Sequence, residues 1–491
     1  AAGDAATGAA HTARARPDAM RLACWAALAC APVVRGADNG LAITPPMGWR
    51  SWNLYGRNVN QSNMEAVMDG MVKRNWKVDG VPTSLCELGY CDLGLDDSWQ
   101  DCSSRRVYNS EVDPLTLLTV DEMGYSYHDD HGRPLVNLNK FPAMGGMVYR
   151  AHRLGLTAGW YANNCICPEG KEATTAVYKR DVEALVAFEF DSLKVDRCGS
   201  MQDLNLWASL LNKTGRPVMI ENCHAGLMGL TAPTATWCPW NSFRTSGGTR
   251  AQYGSTVSTL LTTVAWARAG LSRPGCWAHP DVLQVGGKQG PGGPGDPGLS
   301  FKEARSHFGA WCIVSSPLIL SHDVNNDSVM EEIWPIISNK EAIAVNHAWA
   351  GHSGSPFKHS ATNITLPGFV DQTDEPIIGD SDAAKRQESP LPSWHFFHKP
   401  LGSGRVAVLL MSHTEEEQSL TVSFAEVPGL SCSRCIVRDV WQRRDLGVHI
   451  ERYAAKGLTG RDSAFLILSP EPRASRQAFA ELLRGAGKLR V

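Results

Sequence analysis

The sequence predicts a (β/α)8 TIM barrel followed by a C-terminal antiparallel β-sandwich domain. Short apolar stretches alternate with amphipathic stretches of helical spacing from about residue 38 to residue 353. This alternation is typical of a parallel sheet, and about eight strand–helix units in roughly 300 residues indicate a closed barrel. After about residue 355, apolar residues recur at every second position, which indicates antiparallel strands.

The first half of the barrel is predicted from four strands and the helices between them. A turn at Pro45 and Pro46 leads into the first strand. Apolar residues recur three and four positions apart in the helical stretches, so one face of each helix would be buried. The later strands are expected at 90–97, 157–163 and 193–196, and the helices at 64–72, 144–154 and 178–186.

The second half of the barrel is less regular. Strands are expected at 218–221, 240–246 and 317–321, and helices around 204–211, 257–264 and 308–312. The segment 274–283 is expected to be irregular, and the Gly/Pro-rich segment 286–298 to be a surface loop.

The C-terminal domain is expected at 354–470, followed by a tail at 471–491. Its strands show period-two alternation at 406–410 and 420–424, with further apolar strand segments near 437–441 and 465–468. Cys432 and Cys435 lie close enough in sequence to pair within this domain.

The N-terminal region, 1–37, is expected to be an upstream extension and a signal peptide. Met20 and Arg21 precede a short apolar run at 22–31, which is too short to span a bilayer. Cys24 and Cys30 lie in this region, and the other twelve cysteines of the chain suggest disulfides. Four Asn-x-Ser/Thr triplets begin at Asn60, Asn212, Asn326 and Asn363. The sequence therefore predicts a glycoprotein of the secretory pathway, and leaves open an extracellular, lysosomal or vacuolar destination.

Charge and cysteine spacing exclude several classes of partner. The chain has 47 Lys and Arg against 50 Asp and Glu, a net charge of -3, with no basic face for nucleic acid. No later segment is long and apolar enough to predict a membrane span. The cysteine spacings are not those of a zinc site, so neither a metal nor a cofactor is expected.

Polar side chains recur where the barrel strands end. Lys194 and Asp196 lie two positions apart in a strand and therefore face the same side. Carboxylates and a lysine that converge on one cavity suit a substrate with many hydroxyl groups. Taken alone, the Lys–Asp pair would be interpreted as an ordinary structural ion pair, because such pairs are common. The set is Asp96, Asp97, Tyr161, Lys194, Asp196, Arg244 and Asp281.

Six motifs resemble glycoside hydrolase family 27, the α-galactosidase and α-N-acetylgalactosaminidase (melibiase-like) family. They are 41–52 (LAITPPMGWRSW), 94–99 (GLDDSW), 159–162 (GWYA), 193–198 (LKVDRC), 277–283 (WAHPDVL) and 315–323 (SSPLILSHD). They stand in the family's order and cover roughly residues 38–350. The resemblance implies a retaining hydrolase that releases terminal α-linked galactose by double displacement.

The resemblance also implies a role for each polar residue. Asp196 matches the nucleophile, and Lys194 would hold sugar hydroxyls beside it. Asp96 and Asp97 match the pair that binds the hydroxyls at C4 and C6. Further sugar contacts match Tyr161, Arg244 and Asp281, and Trp49, which would form a wall of the sugar site unless it is a core residue.

Two disulfides are expected from the same resemblance. Cys198 would pair with Cys167, with Cys165 as the competing partner, and would stiffen the strand end beside Asp196. Cys223 and Cys238 form the second expected pair.

One departure from the family affects catalysis. The segment 241–250 (NSFRTSGGTR) resembles the family's acid/base segment, but Gly248 stands where the family has Asp. Glycine has no side chain and cannot protonate a leaving group.

Two hypotheses follow, an active α-galactosidase and a catalytically impaired homologue that binds galactosides. The motifs leave open galactose against N-acetylgalactosamine, the aglycone, and the oligomeric state, a homodimer included.

Overall fold

The computed structural model describes residues 39–102, 127–129, 131–163, 165, 174–224, 233–287, 296, 298–372 and 388–471. All of these residues belong to one compact unit. The expected extension and signal peptide, the tail beyond 471 and most of the Gly/Pro-rich loop lie outside the described residues. No helix of the described part is long and apolar enough to cross a membrane.

Eight parallel strands form the barrel, as the sequence predicts. The sheet order is β8-β1-β2-β3-β4-β5-β6-β7, so neighbours in sequence are neighbours in space. After β7 the Leu283 N–H donates to the Ile319 carbonyl in β8 at 2.7 Å. The strands are β1 (Met47–Arg50), β2 (Asp92–Gly94), β3 (Thr157–Ala162), β4 (Ser192–Asp196), β5 (Met219–Cys223), β6 (Ser242–Arg244), β7 (Trp277–His279) and β8 (Leu318–Leu320).

Two strands differ from the prediction. β2 ends at Gly94, so Asp96 and Asp97 lie just beyond it. The segment 274–283, expected to be irregular, contains β7. The strand is only three residues long and is followed by Pro280, which cannot donate a ladder hydrogen bond, so its sequence pattern is too short to recognise.

Helices connect the strands and bury the apolar faces that the sequence predicts. In the helix Gln61–Val72 the buried side chains include Met64, Val67, Met68 and Met71. The main helices are Gln61–Val72, Met144–Arg153, Thr175–Ala187, Leu204–Lys213, Tyr253–Leu261, Val264–Arg268, Phe301–Ile313, Asp327–Ile337 and Lys340–His347. Shorter elements are the helix Trp52–Tyr55, the 3₁₀ turns Gly56–Asn58, Cys86–Leu88 and Phe424–Glu426, and the hairpin of Trp76–Val78 with Val81–Thr83.

The C-terminal domain contains a six-stranded antiparallel sheet and two strand pairs. The six strands, in spatial order, are Ser355–His359, Trp394–Gly402, Arg405–Ser412, Ser463–Pro470, Arg434–Asp439 and Arg444–Ile450. Gln418–Ser423 pairs with Arg452–Leu458, and Asn363–Thr365 pairs with Pro390–Pro392. With the barrel, this confirms the expected architecture of a TIM barrel followed by a β-sandwich.

The strand Arg405–Ser412 is buried on both faces. Val406, Val408 and Leu410 belong to the core within the sandwich. Leu409 and its odd-numbered neighbours belong to the core that is continuous with the barrel. At Gly309, in the helix Phe301–Ile313, an added Cβ would lie 3.1 Å from Leu409 and 2.9 Å from Trp441, so only glycine allows this close approach.

Buried histidines lie at the same junction. His395 Nδ1 and His413 Nε2 are 2.9 Å apart, and His413 Nδ1 is 3.1 Å from the Tyr253 hydroxyl on a barrel helix. Burial, with a smaller contribution from His359, lowers the pKa of His395 to about 4. The pair is therefore neutral in the folded protein.

We expect His395 to make the fold sensitive to acid. The unfolded chain, in which a histidine has its ordinary pKa of about 6.5, takes up the proton first as the pH falls, so stability is lost between pH ~6.5 and ~4. From pH 7.5 to pH 5 the free energy of unfolding should fall by about 2 kcal/mol more in the wild type than in His395→Gln. Chemical denaturation at the two pH values measures this difference, and equal losses in the two proteins would contradict it.

Candidate active site

All seven polar residues singled out from the sequence lie at one end of the barrel. Because the strands are parallel, their C-terminal ends share one face of the sheet. Asp96 and Asp97 follow β2, Asp281 follows β7, and the other residues lie in or at the end of their strands. This group of residues with the loops around it is called the barrel mouth below.

A buried ion pair joins β2 to β4. Lys194 Nζ lies 2.8 Å from Asp96 Oδ2 and 3.9 Å from Asp196 Oδ2. Burial alone would lower the pKa of Lys194, but the surrounding negative charges, that of Asp96 foremost, raise it above its ordinary value. Lys194 is therefore a fixed cation between two carboxylates.

Asp196 is held in position at both oxygens and at its carbonyl. Oδ1 accepts from the Arg197 N–H at 2.8 Å, and Oδ2 accepts from the Tyr161 hydroxyl at 2.9 Å. Its carbonyl oxygen accepts from Asn163 Nδ2 at 2.6 Å and lies 2.9 Å from His224 Nε2. The Asp196 side chain nevertheless keeps 18% of its surface exposed, against 3% for Asp96.

Tyr161 acts as a hydrogen-bond donor in this arrangement. Burial, followed by the charges of Asp196, Asp97 and Asp96, raises its pKa well above the ordinary value. The phenol therefore keeps its proton and donates a hydrogen bond to the Asp196 carboxylate. The ring also lies 5.2 Å from Lys194 Nζ, within cation–π distance.

Asp97 is oriented by backbone donors. Its Oδ1 accepts from the Ser98 N–H at 2.7 Å and its Oδ2 from the Cys165 N–H at 3.0 Å. The Asp97 carboxylate is thus oriented by its own loop and by the loop that follows β3.

The preferred partner for Cys198 was wrong. Cys198 forms a disulfide with Cys165, the alternative partner, and Cys167 lies outside the described residues. Cys165 and Cys198 follow the C-terminal ends of the neighbouring strands β3 and β4. The hydrogen bond from the Cys165 N–H to Asp97 holds Cys165 in this position. Although both sulfurs lie near the Asp196 carboxylate, they are bonded to each other and offer no thiolate ligands for a metal.

The expected Cys223–Cys238 pairing was also wrong. Cys223 is the last residue of β5, at the C-terminal face of the barrel, whereas Cys238 and Cys276 precede β6 and β7 at the opposite face. Cys238 therefore pairs with Cys276, and Cys223 remains a buried free thiol. Cys432 pairs with Cys435 as expected. Cys86 also pairs with Cys91, a disulfide that was not predicted.

A second ion pair lies across β6 and β7. Arg244 Nη1 is 3.0 Å from Asp281 Oδ1, and the same guanidinium donates to the Gly247 carbonyl. Asp281 Oδ2 accepts from the Thr249 N–H at 2.7 Å. Gly248, which is exposed, therefore lies between two residues whose backbones are bound to Arg244 and Asp281. This anchoring places position 248 at the barrel mouth.

Glu221, in β5, is a further carboxylate near the barrel mouth. It forms a 2.5 Å ion pair with Arg50 and lies 3.6 Å from His279, all three side chains being buried. Burial alone would raise the pKa of Glu221, but Arg50 and then His279 lower it below its ordinary value. Glu221 is held ionised.

Trp49 lies in β1, and its indole N–H donates to the His322 carbonyl at 2.8 Å. Trp49 is 1% exposed, and Asp97 at the barrel mouth is 1% exposed as well. The burial of Trp49 therefore fits both a wall of the sugar site and a core residue.

Sequence reasoning missed the residues that position the barrel mouth. The side chains of Asn163 and His224 contact the Asp196 carbonyl oxygen, and Thr249 donates its backbone N–H to Asp281. Their only sequence signal is their place just after a strand, which many loop residues share.

Comparison with known proteins agrees with this geometry. The family model described as Alpha galactosidase A matches residues 87–348, more than half of the chain, and the model for the alpha galactosidase C-terminal beta sandwich domain matches 392–468. The chain belongs to the α-galactosidase family, glycoside hydrolase family 27. It is thus a glycosidase of the α-galactosidase type.

The protein is similar to other α-galactosidases over most of its length and of theirs. The alpha-galactosidase of Cyamopsis tetragonoloba is 25% identical over 439 residues, covering 86% of this chain and 87% of the relative. Crystal structures of alpha-galactosidase I from Mortierella vinacea (22% identity, TM-score 0.64) and of the Saccharomyces cerevisiae alpha-galactosidase (20%, 0.65) each match 89% of this chain and 100% of their own. At these identities the structural matches support the fold.

We expect non-reducing peptide mapping to recover the observed cysteine pairs. Linked peptides should contain Cys165 with Cys198 and Cys238 with Cys276. Cys223 and Cys312, both buried, should react with an alkylating reagent only after denaturation. Recovery of a Cys223–Cys238 peptide from native protein would contradict the arrangement of β5, β6 and β7.

Proposed function

We propose that this protein is a retaining galactosidase that acts on terminal α-linked galactose by double displacement, with Asp196 as the nucleophile. The observation that carries the proposal is the state of Asp196, a carboxylate fixed by two hydrogen bonds yet the most exposed of the ion-paired carboxylates at the barrel mouth. A retaining mechanism needs such a group to attack the anomeric carbon. Lys194 and Tyr161 keep it oriented.

The other polar groups of the barrel mouth suit galactose recognition. Asp96 and Asp97 have fixed orientations, and their carboxyl oxygens can accept from the hydroxyls at C4 and C6. Lys194, Tyr161, Arg244 and Asp281 supply further donors and acceptors, and Trp49 would pack against the sugar ring.

The missing acid/base group limits this activity. Gly248 can supply no proton, and the neighbouring carboxylates are poor substitutes. Asp281 has one oxygen paired with Arg244 and the other bound to the Thr249 N–H. Glu221 is paired with Arg50 and buried. The oxygens of Asp281 are thus occupied by donors, and the paired Glu221 has a lowered pKa, so neither is suited to protonate a leaving group.

We therefore propose turnover of α-galactosides with good leaving groups and slow turnover of natural galactosides. The alternative is a galactoside-binding homologue without turnover, which the glycine at position 248 also favours. Retention of Asp196 favours catalysis, since binding alone does not require a nucleophile.

Four disulfides in which both cysteines are described favour an oxidising compartment. Together with the signal-like segment and the Asn-x-Ser/Thr triplets, they support a glycoprotein of the secretory pathway.

Trapping of the covalent intermediate tests the proposed nucleophile. An aryl 2-deoxy-2-fluoro-α-galactoside with a strongly activated leaving group should add one glycosyl unit, which peptide mass spectrometry should locate on Asp196. Asp196→Asn should abolish both labelling and the release of phenolate, while retaining the fold by circular dichroism. A label on another residue, or none on the wild type, would contradict the assignment.

Restoring a carboxyl at position 248 tests the limitation. Gly248→Asp should raise kcat for a natural α-galactoside such as melibiose, by up to the ~10²–10⁴-fold that acid–base catalysis contributes. Gly248→Asn, which adds a side chain of the same shape without a proton to give, is the matched control and should show no gain. Fast hydrolysis of melibiose by the wild type would mean that another residue is the acid.

A further inference from the structure

We propose that this protein is also a galactosyl transferase to anionic acceptors, such as carboxylates and azide, when the donor's leaving group departs without a proton. The proposal rests on the proposed function, because it requires the galactosyl ester of Asp196. It adds a second class of substrate, the acceptor. Without a base to remove a proton, anionic acceptors are favoured over water.

The geometry around position 248 provides the basis for this inference. Gly247 and Thr249 are fixed by Arg244 and Asp281, so the backbone at 248 is positioned at the barrel mouth, but no side chain projects from it. Gly248 is exposed, so an external molecule can approach this position. Asp281, which binds the neighbouring Thr249 N–H, is also paired with Arg244, so both of its oxygens are occupied.

The first chemical step needs no proton. An Asp196 carboxylate oxygen forms a bond to C1 of an α-galactoside, and the bond from C1 to the leaving oxygen breaks. The leaving group takes the electron pair and departs as a phenolate or a carboxylate. The products are a β-linked galactosyl ester of Asp196 and a free anion.

The second step divides acceptors into two classes. Water must lose a proton as it attacks C1, and no group at position 248 can take it, so hydrolysis is slow. An anionic acceptor attacks with its own electron pair, the bond between C1 and Asp196 breaks, and the carboxylate is regenerated with no proton moved. After two inversions the product is α-linked, and transfer competes with hydrolysis because only hydrolysis is impaired.

Electrostatics favour the approach of an anion at this stage. Ester formation removes the negative charge of Asp196, and Gly248 contributes none, whereas an aspartate at 248 would repel an incoming anion. Lys194 and Arg244 remain as buried cations at the barrel mouth.

Cys223 is a second nucleophile near the barrel mouth, and a thiolate there would compete with the added acceptor for the galactosyl group. Its sulfur lies 3.5 Å from Arg244 Nη1, but burial, followed by the charge of Asp196, raises its pKa to about 12. The thiol is therefore protonated and should not capture the galactosyl group. Added thiols are avoided as acceptors because they would reduce the Cys165–Cys198 disulfide.

The test uses the full-length protein, 4-nitrophenyl α-galactoside as donor and sodium azide as acceptor. Without azide, a burst of nitrophenolate should be followed by a slow steady state. With azide, the steady-state rate should rise at least about tenfold, with the ~10²–10⁴-fold contribution of the missing base as the upper limit. The product should be α-galactosyl azide, identified by NMR and mass spectrometry, with sodium chloride at equal ionic strength as the salt control.

Two variants complete the experiment. Gly248→Asp should release mainly galactose and lose most of the azide acceleration, whereas Gly248→Asn, whose amide cannot act as a base, should keep that acceleration relative to its own rate without azide. A burst followed by galactose as the sole product in azide would overturn the transfer proposal and leave the proposed function intact. The absence of both the burst and the Asp196 label would overturn the proposed function itself, and β-galactosyl azide would show direct displacement and overturn transfer through the ester.

Discussion

The barrel mouth depends on the buried pair of Lys194 and Asp96. A charge in this environment is costly unless an opposite charge lies within contact distance, and removal of one partner of such a pair costs about 3–5 kcal/mol. The pair therefore fixes the end of β2 against β4. Because Asp196 follows Lys194 by two positions in the same strand, this constraint also sets the direction of its carboxylate.

Charge neutralisation is repeated at three places around the barrel mouth. Arg50 with Glu221, Lys194 with Asp96, and Arg244 with Asp281 each join residues from different strands. Each carboxylate is bound to a cation. The same pairing that orders the barrel mouth thus occupies the carboxylates that could otherwise act as proton donors, which makes the identity of residue 248 decisive.

The sequence predicts the barrel and the polar strand ends well because both follow from local periodicity. A strand that ends in Lys194 and Asp196 can be recognised within nine residues, and parallel pairing then brings distant strand ends to one face. The disulfides were less predictable because a sequence does not show on which barrel face a cysteine lies. Cys238 is only 15 positions from Cys223, but it lies at the opposite end of the sheet. The contacts of Asn163 and His224 with the Asp196 carbonyl depend on loop conformation and carry no periodic signal.

The two-faced burial of the strand Arg405–Ser412 has a consequence for the evolution of the chain. The helix Phe301–Ile313 is buried along almost its whole length, and Arg305 and Arg461 form ion pairs across the junction with Asp462 and Glu303. Removal of the sandwich would expose an apolar barrel helix to water. It would also leave Arg305 and Glu303 without the ion-pair partners that the sandwich supplies. The sandwich therefore cannot be exchanged or lost as a detachable module, and substitutions on its inward face are constrained together with those of the catalytic barrel.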